Sequence, residues 1–98
     1  MRFGVTITSE QFGDYAAALL AAAADRGWEC RCFLLHTGTC VLRQAVFREF
    51  AESGRVGVAV CELSWERFGG GEPPSWAVMG GQYQNAELVR QCDKIVVL

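Results

Sequence analysis

Runs of apolar residues alternate along the chain with segments in which apolar residues recur at helical spacing. Val56–Val60 is a run of small apolar residues that leads into Cys61 without polar alternation, a pattern typical of a strand covered on both faces in a parallel sheet. Helical spacing follows and breaks at Gly69–Gly71, which predicts two turns of helix and a stop. Cys61 is therefore predicted to lie where a buried strand ends and a helix begins.

The rest of the chain repeats this alternation of strand and helix. Asp14 is a predicted N-cap, and Gly27 and Gly54 are placed to end the first and second helices. Gly69–Ser75, with three glycines and two prolines, is predicted to be a loop. This order predicts a single α/β domain, residues 1–98, around a largely parallel sheet of about five strands. The predicted strands are Arg2–Ile7, Trp28–Leu35, Val56–Cys61, Trp76–Met79 and Lys94–Leu98, and the predicted helices, besides the one after Cys61, are Asp14–Arg26, Val41–Glu52 and Asn85–Gln91.

Composition and charge narrow the classes of function. The chain of 98 residues has a formal net charge of −2, so it lacks the excess of positive charge that is typical of proteins that bind nucleic acid directly. Its longest apolar run, Tyr15–Ala24, is too short to span a bilayer, so no membrane partner is expected. Met1-Arg2 leads directly into a predicted strand, so no signal peptide is expected. Five cysteines cannot all pair within one chain, and we expect a cytoplasmic protein with reduced thiols.

Cys61 is the candidate catalytic residue. The junction of strand and helix opens onto the ligand crevice of an α/β sheet, where the strand end is expected to be exposed, and the unpaired N–H groups of a helix start favour a thiolate. The alternative is that Cys61 fills the sheet as a small hydrophobe. Arg67 follows nearly two helical turns later. It is a candidate cation for the site or, equally, a solvated residue that pairs with a neighbouring glutamate.

Three further residues near the predicted sheet edge are candidates for supporting roles. Gly38 follows the second strand, where the lack of a Cβ permits a tight turn near the crevice. His36 lies in the same turn and is either a hydrogen-bond partner or base, or simply exposed. Cys40 comes after the turn and is either a second, resolving thiol beside Cys61 or a core-facing residue at the start of a helix.

The spacing of Cys30, Cys32, His36 and Cys40 raises the alternative of a zinc site. In a strand, residues 30 and 34 are already roughly 13 Å apart. All ligands of a tetrahedral zinc ion lie within about 2.3 Å of the metal, so Cys30 and His36 cannot both reach one ion. We therefore predict no metal ligands, and Cys30 and Cys32 are predicted to pack in the core.

Four stretches together resemble the DsrE/DsrF-like sulfur-relay family, its TusD-like members in particular. They are Met1–Thr8 as the first strand, Cys32–Gly38 as the second strand with its glycine turn, the C-x5-R-x-G spacing of Cys61, Arg67 and Gly69, and Cys92–Val97 as the terminal cysteine and strand. The chain departs from the family's pattern at Thr39-Cys40, where valine usually follows the glycine turn, and has a shorter connection from Gly38 to Val56.

The resemblance implies a three-layer sandwich with helices on both faces of the sheet, and a Cys61 that carries sulfane sulfur as a persulfide without a cofactor. It also implies donor and acceptor proteins for that sulfur, and a homo-oligomer or a hetero-oligomer with related subunits. The alternative is a non-catalytic binding or scaffolding subunit with a structural Cys61. Self-association is also expected because Trp65 and Trp76 flank the glycine-rich loop, and aromatic residues are enriched in interfaces.

Overall fold

The computed structural model describes residues 1–98 and contains one five-stranded sheet. Its strands are β1 (Arg2–Ile7), β2 (Glu29–Leu34), β3 (Val56–Cys61), β4 (Val78–Gly80) and β5 (Lys94–Val97). They lie in the order β4-β3-β2-β1-β5, and every neighbouring pair is parallel. The predicted parallel sheet of about five strands is confirmed.

Four helices connect these strands. They are α1 (Gly13–Asp25), α2 (Ala45–Ser53), α3 (Glu62–Ser64) and α4 (Gln82–Gln91), with 3-10 turns at Glu10–Phe12 and His36–Arg43 and a π turn at Trp65–Gly69. None of them is both long and apolar enough to cross a membrane.

The larger part of the core lies between the sheet and the helices α1 and α2. Alternate strand residues point to this face and are buried, among them Val5, Cys32 and Val58. Leu20 of α1 and Phe47 of α2 pack against them and are fully buried. The apolar stripes of both helices are thus buried on one side of the sheet.

The opposite face of the sheet is covered by α4, which contacts β1 and β2. Leu88 of this helix packs with Phe33 and Cys61 in a second buried cluster. Because α4 does not extend over β4, Val78 on this face stays 58% exposed. Helices on both faces make the molecule the three-layer sandwich that was expected.

Several boundaries differ from the predicted ones. The predicted N-cap Asp14 is the second residue of α1, because the preceding 3-10 turn runs directly into the helix at Gly13. The predicted helix Val41–Glu52 begins only at Ala45, since residues 36–43 form a 3-10 segment and Gln44 is extended. The strand predicted at Trp76–Met79 is Val78–Gly80, and the last helix begins three residues earlier than predicted, at Gln82.

The helix predicted after Cys61 is short and irregular. One α-helical turn, α3, continues into the π turn that ends at Gly69. Trp65 begins this π turn and is buried in the main core, where its indole N–H donates a hydrogen bond to the Gly71 carbonyl at 2.9 Å. Trp65 is therefore packed inside the domain, and the expected subunit contact near the glycine-rich loop stays a prediction.

Candidate functional site

Cys61 is the last residue of β3 and caps the start of α3. It pairs with Gly80 of β4 at the carboxyl end of the sheet, which is the predicted position. Its side chain is on the α4 face, in one cluster with Phe33 and Leu88, and it is 7% exposed. The strand end was expected to be exposed. It is buried because α4 covers this part of the sheet.

Polar groups at the start of α3 act on the Cys61 thiol. Burial is the largest effect and raises the pKa of Cys61, while the Ser64 hydroxyl and the N–H groups of Ser64 and Leu63 lower it. The nearby Glu62 carboxylate raises it, yet the net pKa of Cys61 is below the ordinary value. The thiol makes no tight cap hydrogen bond, so these groups act as oriented dipoles that favour the thiolate.

The other four cysteines have the opposite shift. Burial raises the pKa of the Cys32 thiol to about 12, and burial is also the main cause that raises the pKa of Cys30, Cys40 and Cys92. All five cysteines are free thiols. Cys61 is thus the cysteine of this chain whose surroundings favour the reactive thiolate.

His36 is joined to the site through its backbone. Its N–H donates a 2.8 Å hydrogen bond to Oγ of Ser64, and its imidazole packs against the ring of Phe68, with ring centroids 4.5 Å apart. The His36 side chain therefore packs against the π turn. Ser64 itself was missed by sequence reasoning; its position three residues after a cap residue is the signal that indicates it.

Gly38 brings the turn after β2 against the end of β1. A Cβ at this position would lie 2.1 Å from the Ile7 carbonyl oxygen, so the observed backbone accepts only glycine. The same Ile7 oxygen accepts a hydrogen bond from the Leu35 N–H at 3.0 Å. The close approach of Gly38 to Ile7 is the reason why this turn requires glycine.

Cys40 and Arg67 both contact the segment around Phe68. The Cys40 thiol donates to the Phe68 carbonyl oxygen at an Sγ–O distance of 3.4 Å, and Cys40 belongs to the 3-10 segment rather than to the start of a helix. The Arg67 guanidinium lies 5.3 Å from the centroid of the Phe68 ring. The structure therefore ties both residues to the π turn next to Cys61. Their supporting roles remain predictions.

No group of three or more His, Cys, Asp or Glu side chains is arranged to hold a metal ion. Cys30 and Cys32 lie in the main core on the α1 side of the sheet, the packing role expected of them. The thiol of Cys30 is within 3.5 Å of the Trp28 carbonyl oxygen.

Comparison with known proteins bears on the fold. No protein-family model matches the sequence, and no curated protein matches it. The crystal structure of the ychN protein from E. coli matches along 100% of both chains, with a TM-score of 0.70 and 17% sequence identity. The chain has the fold of that protein. This fold is DsrE-like, which agrees with the fold that the sequence resemblance implies, and at this level of identity the similarity concerns the fold alone.

A groove lies on the α4 face of the sheet, and Cys61 is not part of its lining. Its volume is about 210 Å³, and its lining includes Arg31, Phe33, Ala59, Val78, Gln84 and Leu88. Phe33 and Leu88 also belong to the cluster that contains the Cys61 side chain. Phe33 and Leu88 therefore line the groove on one side and pack with the Cys61 side chain on the other.

Proposed function

We propose that this protein is a small cytoplasmic sulfur carrier of the DsrE/DsrF-like, TusD-like kind, in which Cys61 holds sulfane sulfur as a persulfide. The observation that carries the proposal is the contrast among the thiols: the surroundings of Cys61 lower its pKa, whereas those of the other four cysteines raise theirs. The thiolate is the nucleophile in thiol–persulfide exchange, so Cys61 is the cysteine suited to it.

The reaction is a transfer of neutral sulfur between thiols. The Cys61 thiolate attacks the outer sulfur of a donor persulfide and forms a new S–S bond, while the donor's own S–S bond breaks and its inner sulfur leaves as a thiolate. Attack of an acceptor thiolate on the outer sulfur of the Cys61 persulfide then reverses these roles. Neither step requires a cofactor or an external oxidant, because one S–S bond replaces another.

The apolar neighbours of Cys61 bear on the lifetime of such a persulfide. Phe33 and Leu88 pack around the side chain, which leaves it 7% exposed. These apolar walls partly shield the bound sulfur, which favours transfer between docked proteins over release of the sulfur to solvent.

The same burial supports a second candidate function, that of a binding or scaffolding subunit in which Cys61 is structural. Alkylation of the native protein at neutral pH, followed by mass spectrometry of each cysteine, separates the two. A carrier alkylates faster at Cys61 than at the half-buried Cys40 and Cys92. Cys61 that stays unmodified until the protein is unfolded supports the scaffolding function instead.

The uncovered part of the α4 face supports the proposal of a homo-oligomer or a hetero-oligomer with related subunits. Val78, Tyr83 and Val89 on β4 and α4 are 55% to 72% exposed. These exposed apolar side chains are candidates for contact with another subunit.

A further inference from the structure

The groove on the α4 face exists because β3 has small side chains on that side. The valines of β3 pack in the main core, whereas Gly57 and Ala59, which alternate with them, point to the α4 face. The nearest atom to a Cβ at Gly57 would be Cγ of Arg31, 3.7 Å away. The two small residues therefore form the floor of the groove of about 210 Å³.

The walls of the groove are apolar. Phe33 of β2 and Leu88 of α4 are buried and form one side, and Val78 of β4 lines the groove as an exposed side chain. A cavity of about 150 Å³ in another protein holds one benzene molecule. The groove therefore has room for one aromatic ring with a short substituent.

Hydrogen-bond donors line the groove together with these walls. The Arg31 guanidinium donates to the Glu29 carboxylate at 3.1 Å and to the Gln91 side chain, which uses two of its five N–H groups. The carbonyl oxygen of Gln84 accepts the Gly81 N–H at 2.8 Å, and its NH₂ group donates to no group of the protein. The lining thus offers donors to a ligand that carries an acceptor.

The charges near the groove favour an anion at Arg31. The Glu29 carboxylate is shared, since it pairs with Arg2 at 3.3 Å as well as with Arg31. Glu87, the one acidic residue of the lining, pairs with Arg90 at 2.7 Å. Arg31 therefore keeps positive charge and free donors, and its planar guanidinium matches the geometry of a carboxylate.

We propose that this groove binds a small aromatic carboxylate, with the ring over Gly57 and Ala59 and the carboxylate on the Arg31 guanidinium. Arg31 pairs with Gly57 in the sheet register, so the charged group lies at the end of the groove where β3 begins. The site is independent of the proposed sulfur chemistry, because Cys61 is not part of its lining.

Phenylacetate is the probe for this site, and its binding is followed by heteronuclear NMR of the full chain. Acetate, which lacks the ring, and phenylacetamide, which lacks the charge, are the matched ligands. Ala59→Leu fills the floor of the groove and Arg31→Gln removes the guanidinium. Arg2→Gln is the control, because Arg2 shares the Glu29 carboxylate with Arg31 but does not line the groove. The dispersion of the NMR signals verifies that each variant is folded.

Phenylacetate is expected to shift the amide signals of Gly57, Ala59 and Val78 with a Kd of about 1–10 mM. Acetate and phenylacetamide are expected to bind at least about fivefold more weakly. Ala59→Leu and Arg31→Gln should each raise the Kd for phenylacetate about tenfold, and Arg2→Gln should change it less than about twofold.

Three results would each overturn the proposal: no saturable shifts at the groove, binding of acetate or phenylacetamide as tight as that of phenylacetate, or equal weakening in Arg2→Gln and Arg31→Gln. If Ala59→Leu does not fold, the two arginine variants and the three ligands still decide the question.

Discussion

Replacement of Gly38 by alanine perturbs the turn that brings His36 to the site. The new Cβ would lie 2.1 Å from the Ile7 carbonyl oxygen and 2.7 Å from its carbonyl carbon, whereas ordinary contact begins at 3.4 Å. The turn and the end of β1 would have to separate by more than about 1 Å, and both are hydrogen-bonded backbone. Overpacking against such rigid neighbours costs about 3 kcal/mol.

For a domain of this size, that cost lowers Tm by about 12–24 °C. Thermal unfolding followed by circular dichroism measures it, and Gly57→Ala is the matched control. The nearest atom to a Cβ at Gly57 is Cγ of Arg31, 3.7 Å away, so this variant should stay within about 0.5 kcal/mol of the wild type. The reasoning is refuted if Gly38→Ala unfolds at the wild-type Tm, or if both variants are destabilised equally.

Three further predictions concern burial, charge and association. Burial raises the pKa of Cys32 from its ordinary value of 9.0 to about 12 in the folded protein. Above pH 9 the unfolded state therefore gains a thiolate that the folded state does not, and the protein loses about 4 kcal/mol of stability as the pH rises to 12. Urea unfolding should show a smaller alkaline loss in Cys32→Ala. Arg67→Ala should leave the alkylation profile of Cys61 nearly unchanged, because the exposed guanidinium is screened by solvent, and a large upward shift would contradict this. Sedimentation at micromolar concentration should show a dimer or larger species. Val78→Asp should weaken this association, whereas Tyr15→Asp, at an equally exposed position on α1, should not. A monomeric wild type would contradict the expected self-association.

The position of the candidate nucleophile could be predicted because its local signal is unambiguous. The unbroken apolar run of β3 indicates a strand buried on both faces, and its end at Cys61 coincides with the change to helical spacing. The degree of burial of Cys61 could not be predicted. It depends on Leu88, a residue of α4 that is distant in sequence and reaches the sulfur only through the crossover of the chain.

The 3-10 segment after β2 was missed for a different reason. Residues 36–43 contain no proline, and their apolar positions continue at helical spacing into α2. The tighter turn is stabilised locally by the Thr39 hydroxyl, which donates to the His36 carbonyl at 2.9 Å and is fully buried. Side-chain bonds of this kind compete with the α-helix and are invisible in a hydrophobic pattern.

Ser64 escaped sequence reasoning because its partner is the backbone of a residue 28 positions away. A serine in the first turn of a helix is common, and only the fold shows that the His36 N–H meets its oxygen. The resemblance to sulfur-relay proteins indicated the cysteine and the fold but contained no information on this contact.

Persulfide loading tests directly whether Cys61 carries sulfane sulfur. The protein is incubated with a persulfide donor and, after differential alkylation, each cysteine is examined by mass spectrometry for the addition of one sulfur atom. We expect sulfur to be added at Cys61, Cys61→Ser to abolish the addition while the protein remains folded, and Cys40→Ser to keep it. Loading at the wild-type level in Cys61→Ser would contradict the assignment of Cys61 as the carrier.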